Sequence, residues 1–337
     1  AIEFSWGETL RKQKDFSTAE PHYQRVIDRW PDSSWADDAL QVLCEIAFEA
    51  GNSQRVEQIA VQFGDKFPDS PLRDRVRQTL GRTFLRQQRY PEALAQFREL
   101  TAATASDAVS GSEAPAKDQP RGDDTPRRMN YYYLALAHLG LGQGEQSLAA
   151  LDRVHPAGSE KELEAGVQVA RASALFGVQQ FKEAAEQLRA YLLAHPEGPD
   201  SAECLARLAV SLAETGDLAE AEKAWEQLRR QHAAHALFLP TTDHLAQRAH
   251  ARSEWDKAKK WFTVLAENKQ SPPYATKGLA GLGKTQLREG DPQDATRTFD
   301  ELLKRAPGST EAAEAALLRA RTLASQKQHA AALAAYQ

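Results

Sequence analysis

The sequence predicts an all-α fold, an α-solenoid of about nine helix-turn-helix units. The first observation behind this is a strict period. A residue that opens a helix is followed three places later by a small one: Phe16/Ala19, Ser53/Val56, Tyr90/Ala93, Gly144/Ser147, Phe181/Ala184, Leu218/Ala221, Trp255/Ala258, Pro292/Ala295 and His329/Ala332. Successive units are 37 residues apart, except for one interval of 54 between the third and fourth. The second observation is that other positions keep the same register. A bulky residue follows the small one at Tyr23, Phe97, Leu188, Trp225, Phe262, Phe299 and Tyr336. The third is punctuation at fixed offsets, glycine turns between the helices of several units and prolines closing many of them.

Each element has a local reason. In the first helix of every unit one position stays small: Gly7, Cys44, Gly81, Ala135, Ala172, Ala209, Ala246, Gly283 and Ala320. Small residues let two helices approach, and the bulky residues of the second helix fill the space between. Turns such as "AGN" (50–52), "TGD" (215–217) and "EGD" (289–291) join the two helices. Glycine there supplies a left-handed helix end, and Asn or Asp caps the next helix. Pro31, Pro68, Pro196 and Pro307 end the second helices. One such hairpin cannot bury its apolar face alone, so stacked neighbours must cover it.

These positions together resemble the tetratricopeptide repeat, over essentially the entire chain. The resemblance implies a right-handed superhelix that binds protein segments. Here the period is 37 residues, longer than is usual for that family, and the surplus lies in linkers such as "PDSSWADDAL" (31–40) and "PEGPDSAECL" (196–205). Such linkers look like those of bacterial envelope proteins of the Tol-Pal coordination and barrel-assembly lipoprotein type. That likeness implies a periplasmic or outer-membrane-associated protein, with a cytoplasmic one as the alternative. The expected organisation is units 1–3 over residues 1–100, a flexible polar insertion over 101–128, and units 4–9 over 129–337 with the last truncated. The chain opens on Ala1 and holds a single methionine, Met129, so the expectation is a fragment of a longer array.

The stretch "GLAGLGKTQ" (278–286) fits the phosphate-loop pattern of a Gly, four residues, then Gly-Lys-Thr. That pattern needs a buried strand delivering the chain into a glycine loop ahead of a helix. Here the preceding "NKQSPPYATK" (268–277) contains two prolines and no apolar run. Gly283 also falls in the small-residue slot of the eighth unit. The stretch therefore reads as helix packing, and no nucleotide cofactor is expected.

With 42 basic and 47 acidic residues the formal net charge is −5. That balance gives no electrostatic case for nucleic acid or an anionic membrane as partner. No apolar run approaches the ~20 residues that span a bilayer. The two cysteines, Cys44 and Cys204, sit far apart in apolar helical stretches and read as buried thiols. His232, His235, His244 and His250 form the densest histidine group, but a linker and Pro240 divide it into two pairs. No metal site, catalytic residue, cofactor or small-molecule substrate is expected.

What remains is a binding surface. In the tetratricopeptide architecture the first helices line the concave face. By that resemblance Arg75, Arg82 and Arg86 fall on the groove wall of the third unit. Tyr132, Tyr133 and Leu136 fall on the fourth, and Val169, Ser173 and Phe176 on the fifth. Of the three consecutive tyrosines Tyr131, Tyr132 and Tyr133, one packs inward and the others reach toward the groove, at 100° per helical residue. A basic wall beside an aromatic one suits a peptide, because Arg holds carboxylates bidentately and Tyr buries area at little entropic cost. The expected function is a non-catalytic scaffold binding partner peptide segments, with an architectural spacer within a larger protein as the alternative.

Overall fold

A computed structural model describes residues 1–107, 125–156 and 160–336. Among the described residues there are eighteen α-helices and no strand. They fall into two compact units, Ala1–Val178 and Gln179–Gln337. The first holds α1 (Ile2–Lys12), α2 (Phe16–Arg29), α3 (Ala36–Glu49), α4 (Ser53–Lys66), α5 (Arg73–Arg86), α6 (Tyr90–Asp107), α7 (Thr125–Gly140), α8 (Gly144–Leu151) and α9 (Lys161–Gly177). The second holds α10 (Phe181–Ala194), α11 (Ser201–Thr215), α12 (Leu218–His232), α13 (Phe238–Ala251), α14 (Trp255–Ala266), α15 (Pro272–Glu289), α16 (Pro292–Arg305), α17 (Thr310–Ser325) and α18 (His329–Tyr336). Within each unit every helix packs on the next in sequence. Alternate helices also touch, α5 against both α3 and α7, and α15 against both α13 and α17. That is the packing of a helical solenoid.

The small-residue slot works as the sequence suggests. A Cβ added at Gly7 would stand 2.9 Å from the Tyr23 ring, and one at Gly81 2.7 Å from the Phe97 ring. A Cβ at Gly283 would collide with Phe299 in the same way. Each bulky partner lies sixteen residues downstream and is fully buried. Tyr336 is the exception at 54% exposure, with no later helix among the described residues to cover it.

The hairpin turn is equally regular. Among the described residues nine adopt positive φ, and they fall on the repeat register: Lys14, Gly51, Gln88, Gly142, Gln179, Gly216, Ser253, Gly290 and Lys327. The next residue's N–H donates back to a carbonyl five positions earlier, as from Asn52 to Ala47 at 2.9 Å and Asp217 to Leu212 at 2.9 Å. That closes the helix end in a Schellman arrangement. Asp15, Asn52 and Asp217 then cap the second helix through Thr18, Arg55 and Glu220 N–H groups, whereas Asp291 makes no such bond. At the far end, Trp30, Phe67, His195 and Ala306 share φ between −132° and −141°, each just before a proline. A following proline excludes helical backbone there.

Glycine was the expected residue at the turn, yet five of the nine are Lys, Gln or Ser, because hairpin geometry sets the conformation whichever side chain is present. A non-glycine residue in the left-handed region costs about 1 kcal/mol. Gln88→Gly should therefore raise stability by about 0.5–1 kcal/mol in urea unfolding, after allowing for the entropy that glycine adds to the unfolded chain. A neutral or destabilising result would show that the Gln88 side chain carries a compensating contact.

Of the expected polar insertion only the two ends lie among the described residues. Residues 101–107 continue α6, and 125–128 open α7. The rest of the segment lies outside the described residues, as do 157–159 and 337.

Candidate functional site

Helix α5 is the most basic in the N-terminal unit, carrying Arg73, Arg75, Arg77, Arg82 and Arg86 against a single Asp74. Two of these arginines are held by an aromatic ring on α3. The Arg86 guanidinium lies 3.6 Å from the centroid of the Phe48 ring and donates from Nη1 to the Phe48 carbonyl oxygen at 2.9 Å. Arg82 lies 4.3 Å from the same ring, and its other side faces Tyr133 of α7 at 5.6 Å. Such cation–π contacts are worth about 0.5–2 kcal/mol each, more when water is excluded. Neither arginine forms an ion pair among the described residues. Arg75 stands apart, exposed; burial and the neighbouring Asp37 push the Asp38 carboxyl up, with the Arg75 charge opposing them.

All three tyrosines are half-buried. Tyr133 packs on Phe97 at 5.4 Å and on Tyr132 at 5.7 Å. Burial pushes its phenol above the ordinary range, with Arg82 and Arg86 pulling the other way. Tyr132 reaches toward Gly166 of α9 and lines a recess of about 570 Å³ with Met129, Glu160 and Leu163. Leu136 packs in the same cluster, and Val169, Ser173 and Phe176 are half-buried on α9, which packs against α7.

Arg82, Arg86 and Tyr133 thus converge on one patch, and Phe48 is the member that sequence reasoning missed. The repeat register was the available signal, since Phe48 precedes Leu85, Leu139 and Phe176 in that column. Also missed was Gln78, whose side chain donates to the Asn130 side-chain oxygen at 2.7 Å, tying α5 to α7.

The C-terminal unit holds a cavity of about 400 Å³, walled by Asp243, Gln247 and His250 of α13 and by Lys277, Ala280, Gly281 and Lys284 of α15. Phe262 of α14 and Glu311 of α17 complete it. Asp243 is only 9% exposed and accepts from Gln247 Nε2 at 2.9 Å, while Lys277 Nζ stands 3.6 Å away. His250 Nδ1 lies 2.9 Å from Thr285 Oγ1. Burial pushes the His250 pKa down, assisted by Arg288 and Lys284, which favours the neutral ring.

The phosphate-loop look-alike lies wholly inside α15. Its Lys284 pairs with Glu314 at 2.6 Å, and its Thr285 hydroxyl donates to the Gly281 carbonyl at 2.8 Å. Mid-helix N–H groups are already bonded, so this stretch presents no phosphate cradle. The four clustered histidines go separate ways, to Ser201, the Leu237 N–H, Glu214 and Thr285. Cys44 and Cys204 are free and buried, and burial pushes both thiols up to about 12. No helix among the described residues is long and apolar enough to cross a membrane.

Comparison with known proteins agrees with this architecture. A tetratricopeptide-repeat family model matches residues 169–239 and 281–337, and a second matches residues 3–33. No curated protein matches the chain. Among solved structures, the apo form of RapI is 12% identical at a TM-score of 0.55, with 86% of this chain and 81% of that one covered. The apo form of the quorum sensor NprR from B. thuringiensis is 13% identical at 0.50, covering 99% and 96%. A tetratricopeptide repeat protein from Parabacteroides merdae is 15% identical at 0.47, covering 86% and 100%. At these identities the likeness to RapI and NprR is one of fold.

Proposed function

We propose that this chain, which carries tetratricopeptide repeats, is a non-catalytic scaffold holding a segment of a partner protein on α3, α5, α7 and α9. Repeat folds present extended surfaces and bind through them. One observation carries the reading. Arg82 and Arg86 are fixed against Phe48 and Tyr133, yet no carboxylate among the described residues pairs with either. Cations held in place in advance lose less entropy on binding, so an acidic or C-terminal carboxylate of a partner completes the arrangement. Tyr132, Leu136, Val169 and Phe176 supply apolar area beside them, and Arg75 extends the positive end. The Pro-led linkers and 37-residue period support placing the protein in a bacterial envelope, in the periplasm or at the outer membrane, which cell fractionation tests directly.

The test is calorimetric titration with a partner segment recovered on the wild-type chain. Charge reversal of both arginines, Arg82→Glu with Arg86→Glu, should weaken binding at least tenfold, about 1.4 kcal/mol. Lys223→Glu is the control, since Lys223 is 74% exposed and pairs with Glu220 within its own helix turn. Lys259 is unsuitable as a control because it bridges to Glu289 at 2.6 Å. Full affinity in a double variant that melts like the wild type would move the site elsewhere and favour the spacer role.

A further inference from the structure

The cavity of the C-terminal unit and the aromatic patch of the N-terminal unit occupy the same place in the repeat. Ala280, Gly281 and Lys284 follow Tyr132, Tyr133 and Leu136 by 148 residues, four periods of 37. On the preceding unit, Gln247 stands in register with Arg82, and Phe262 with Phe97. In the N-terminal unit the Tyr133 ring fills the space between Phe97, 5.4 Å away, and the Arg82 guanidinium, 5.6 Å away. In the C-terminal unit the two tyrosines are replaced by alanine and glycine, and a cavity of about 400 Å³ stands there.

The polar groups differ in a matching way. Gln78 spends its amide on Asn130 at 2.7 Å. Its counterpart is Asp243, and the counterpart of Asn130 is Gly278, which has no side chain to offer. Asp243 therefore faces the cavity as a nearly buried carboxylate, bonded to Gln247 at 2.9 Å and with Lys277 at 3.6 Å, too long for a hydrogen bond. The apolar wall is Phe262, with the His250 ring 6.5 Å from it in a T-shaped arrangement.

We propose that this cavity seats a tyrosine side chain of a bound polypeptide, its ring against Phe262 and its phenol donating to the Asp243 carboxylate. A buried aromatic ring carries a large apolar payload, and a phenol needs one polar partner at its tip. A hydrogen bond to a carboxylate is stronger than a neutral one, which selects tyrosine over phenylalanine. The polypeptide context rests on the scaffold reading, but recognition of the side chain is tested without any partner.

The probe is N-acetyl-L-tyrosinamide, titrated into the ¹⁵N-labelled full chain and followed by amide shifts. Saturable shifts at Gly281 and His250 are expected with a millimolar dissociation constant, fitting a ligand of this size. N-acetyl-L-phenylalaninamide should bind at least about tenfold more weakly, the usual worth of one buried hydrogen bond to a charged group. N-acetyl-L-alaninamide should produce no saturable shift. Asp243→Asn should erase the preference for tyrosine, and Gln247→Phe, which fills the cavity from the register of Arg82, should abolish binding without lowering the melting temperature. The proposal is overturned if the tyrosine probe gives no saturable shift at these amides, or if the alanine or phenylalanine probe binds as well. Unaltered tyrosine binding in a folded Gln247→Phe chain overturns it too. Such a failure leaves the scaffold reading intact as long as Arg82 and Arg86 still govern partner affinity.

Discussion

Trp225→Ala should destabilise the C-terminal unit by about 3–5 kcal/mol, the range for truncating a large aromatic in a packed core. The side chain is completely buried at the middle of α12. Its ring meets Trp261 edge-on at 6.1 Å and stacks near Phe238 at 6.0 Å, so two successive hairpins share it. Its indole N–H donates to the Thr242 hydroxyl at 2.8 Å, and that hydroxyl in turn donates to the Phe238 carbonyl at 2.8 Å. Above the ring, at 5.5 Å, lies the Lys260 ammonium, which also holds Glu222 and Glu226 at 2.6 and 2.7 Å. Truncation opens a void at the point where these contacts meet, and in a solenoid each repeat leans only on its neighbours. Urea unfolding followed by circular dichroism measures the loss. Trp225→Phe should recover about half of it, since most of the apolar area returns without the indole N–H. A loss below about 1 kcal/mol for the alanine variant would mean that the helices close over the gap, contrary to native-density packing here.

The repeat was legible because its strongest signals are residues that packing requires to be present. All nine small slots and all nine small partners in the second helices are buried, from Gly7 and Ala19 to Ala320 and Ala332. The turn was legible in position but not in residue type, because backbone geometry forces Lys14 and Gln179 into the left-handed region as firmly as Gly51. Part of the candidate site was legible too. The tetratricopeptide resemblance, with charge and aromatic content, brought Arg82, Arg86 and Tyr133 into one reading, and Arg82 stands 5.6 Å from the Tyr133 ring. What escaped was Phe48, an apolar residue with an ordinary core signature that also carries both guanidiniums. The cavity escaped for the opposite reason. It is walled in part by Ala280 and Gly281, which stand where Tyr132 and Tyr133 stand four periods earlier, and composition registers what is present. Only alignment of the chain with itself, four periods apart, exposes the deficit.

Gly278→Leu should cost about 3 kcal/mol or more, at the upper end for overpacking. Gly278 opens the phosphate-loop pattern, so its role separates the two meanings of that stretch. A Cβ at this position would collide with the Ala266 backbone nitrogen and crowd the Leu265 carbonyl carbon. Backbone cannot rotate aside as a side chain does, so α15 must move off α14. The move uncovers Leu265, Ala266 and Leu279, which are at most 6% exposed. Helix propensity works in the other direction, since leucine is favoured over glycine by nearly 1 kcal/mol in a helix interior. The expected loss is net of that gain. Lys284→Ala should cost less than about 1 kcal/mol, because its partner Glu314 is half exposed and such pairs contribute little. In a nucleotide loop the lysine would matter most through its ligand, and magnesium–ATP would raise the melting temperature by mass action. Here thermal melts of the wild type, Gly278→Leu and Lys284→Ala should be the same with and without magnesium–ATP, with only the glycine variant strongly destabilised. A nucleotide-dependent shift lost in Lys284→Ala would overturn the packing account of this sequence.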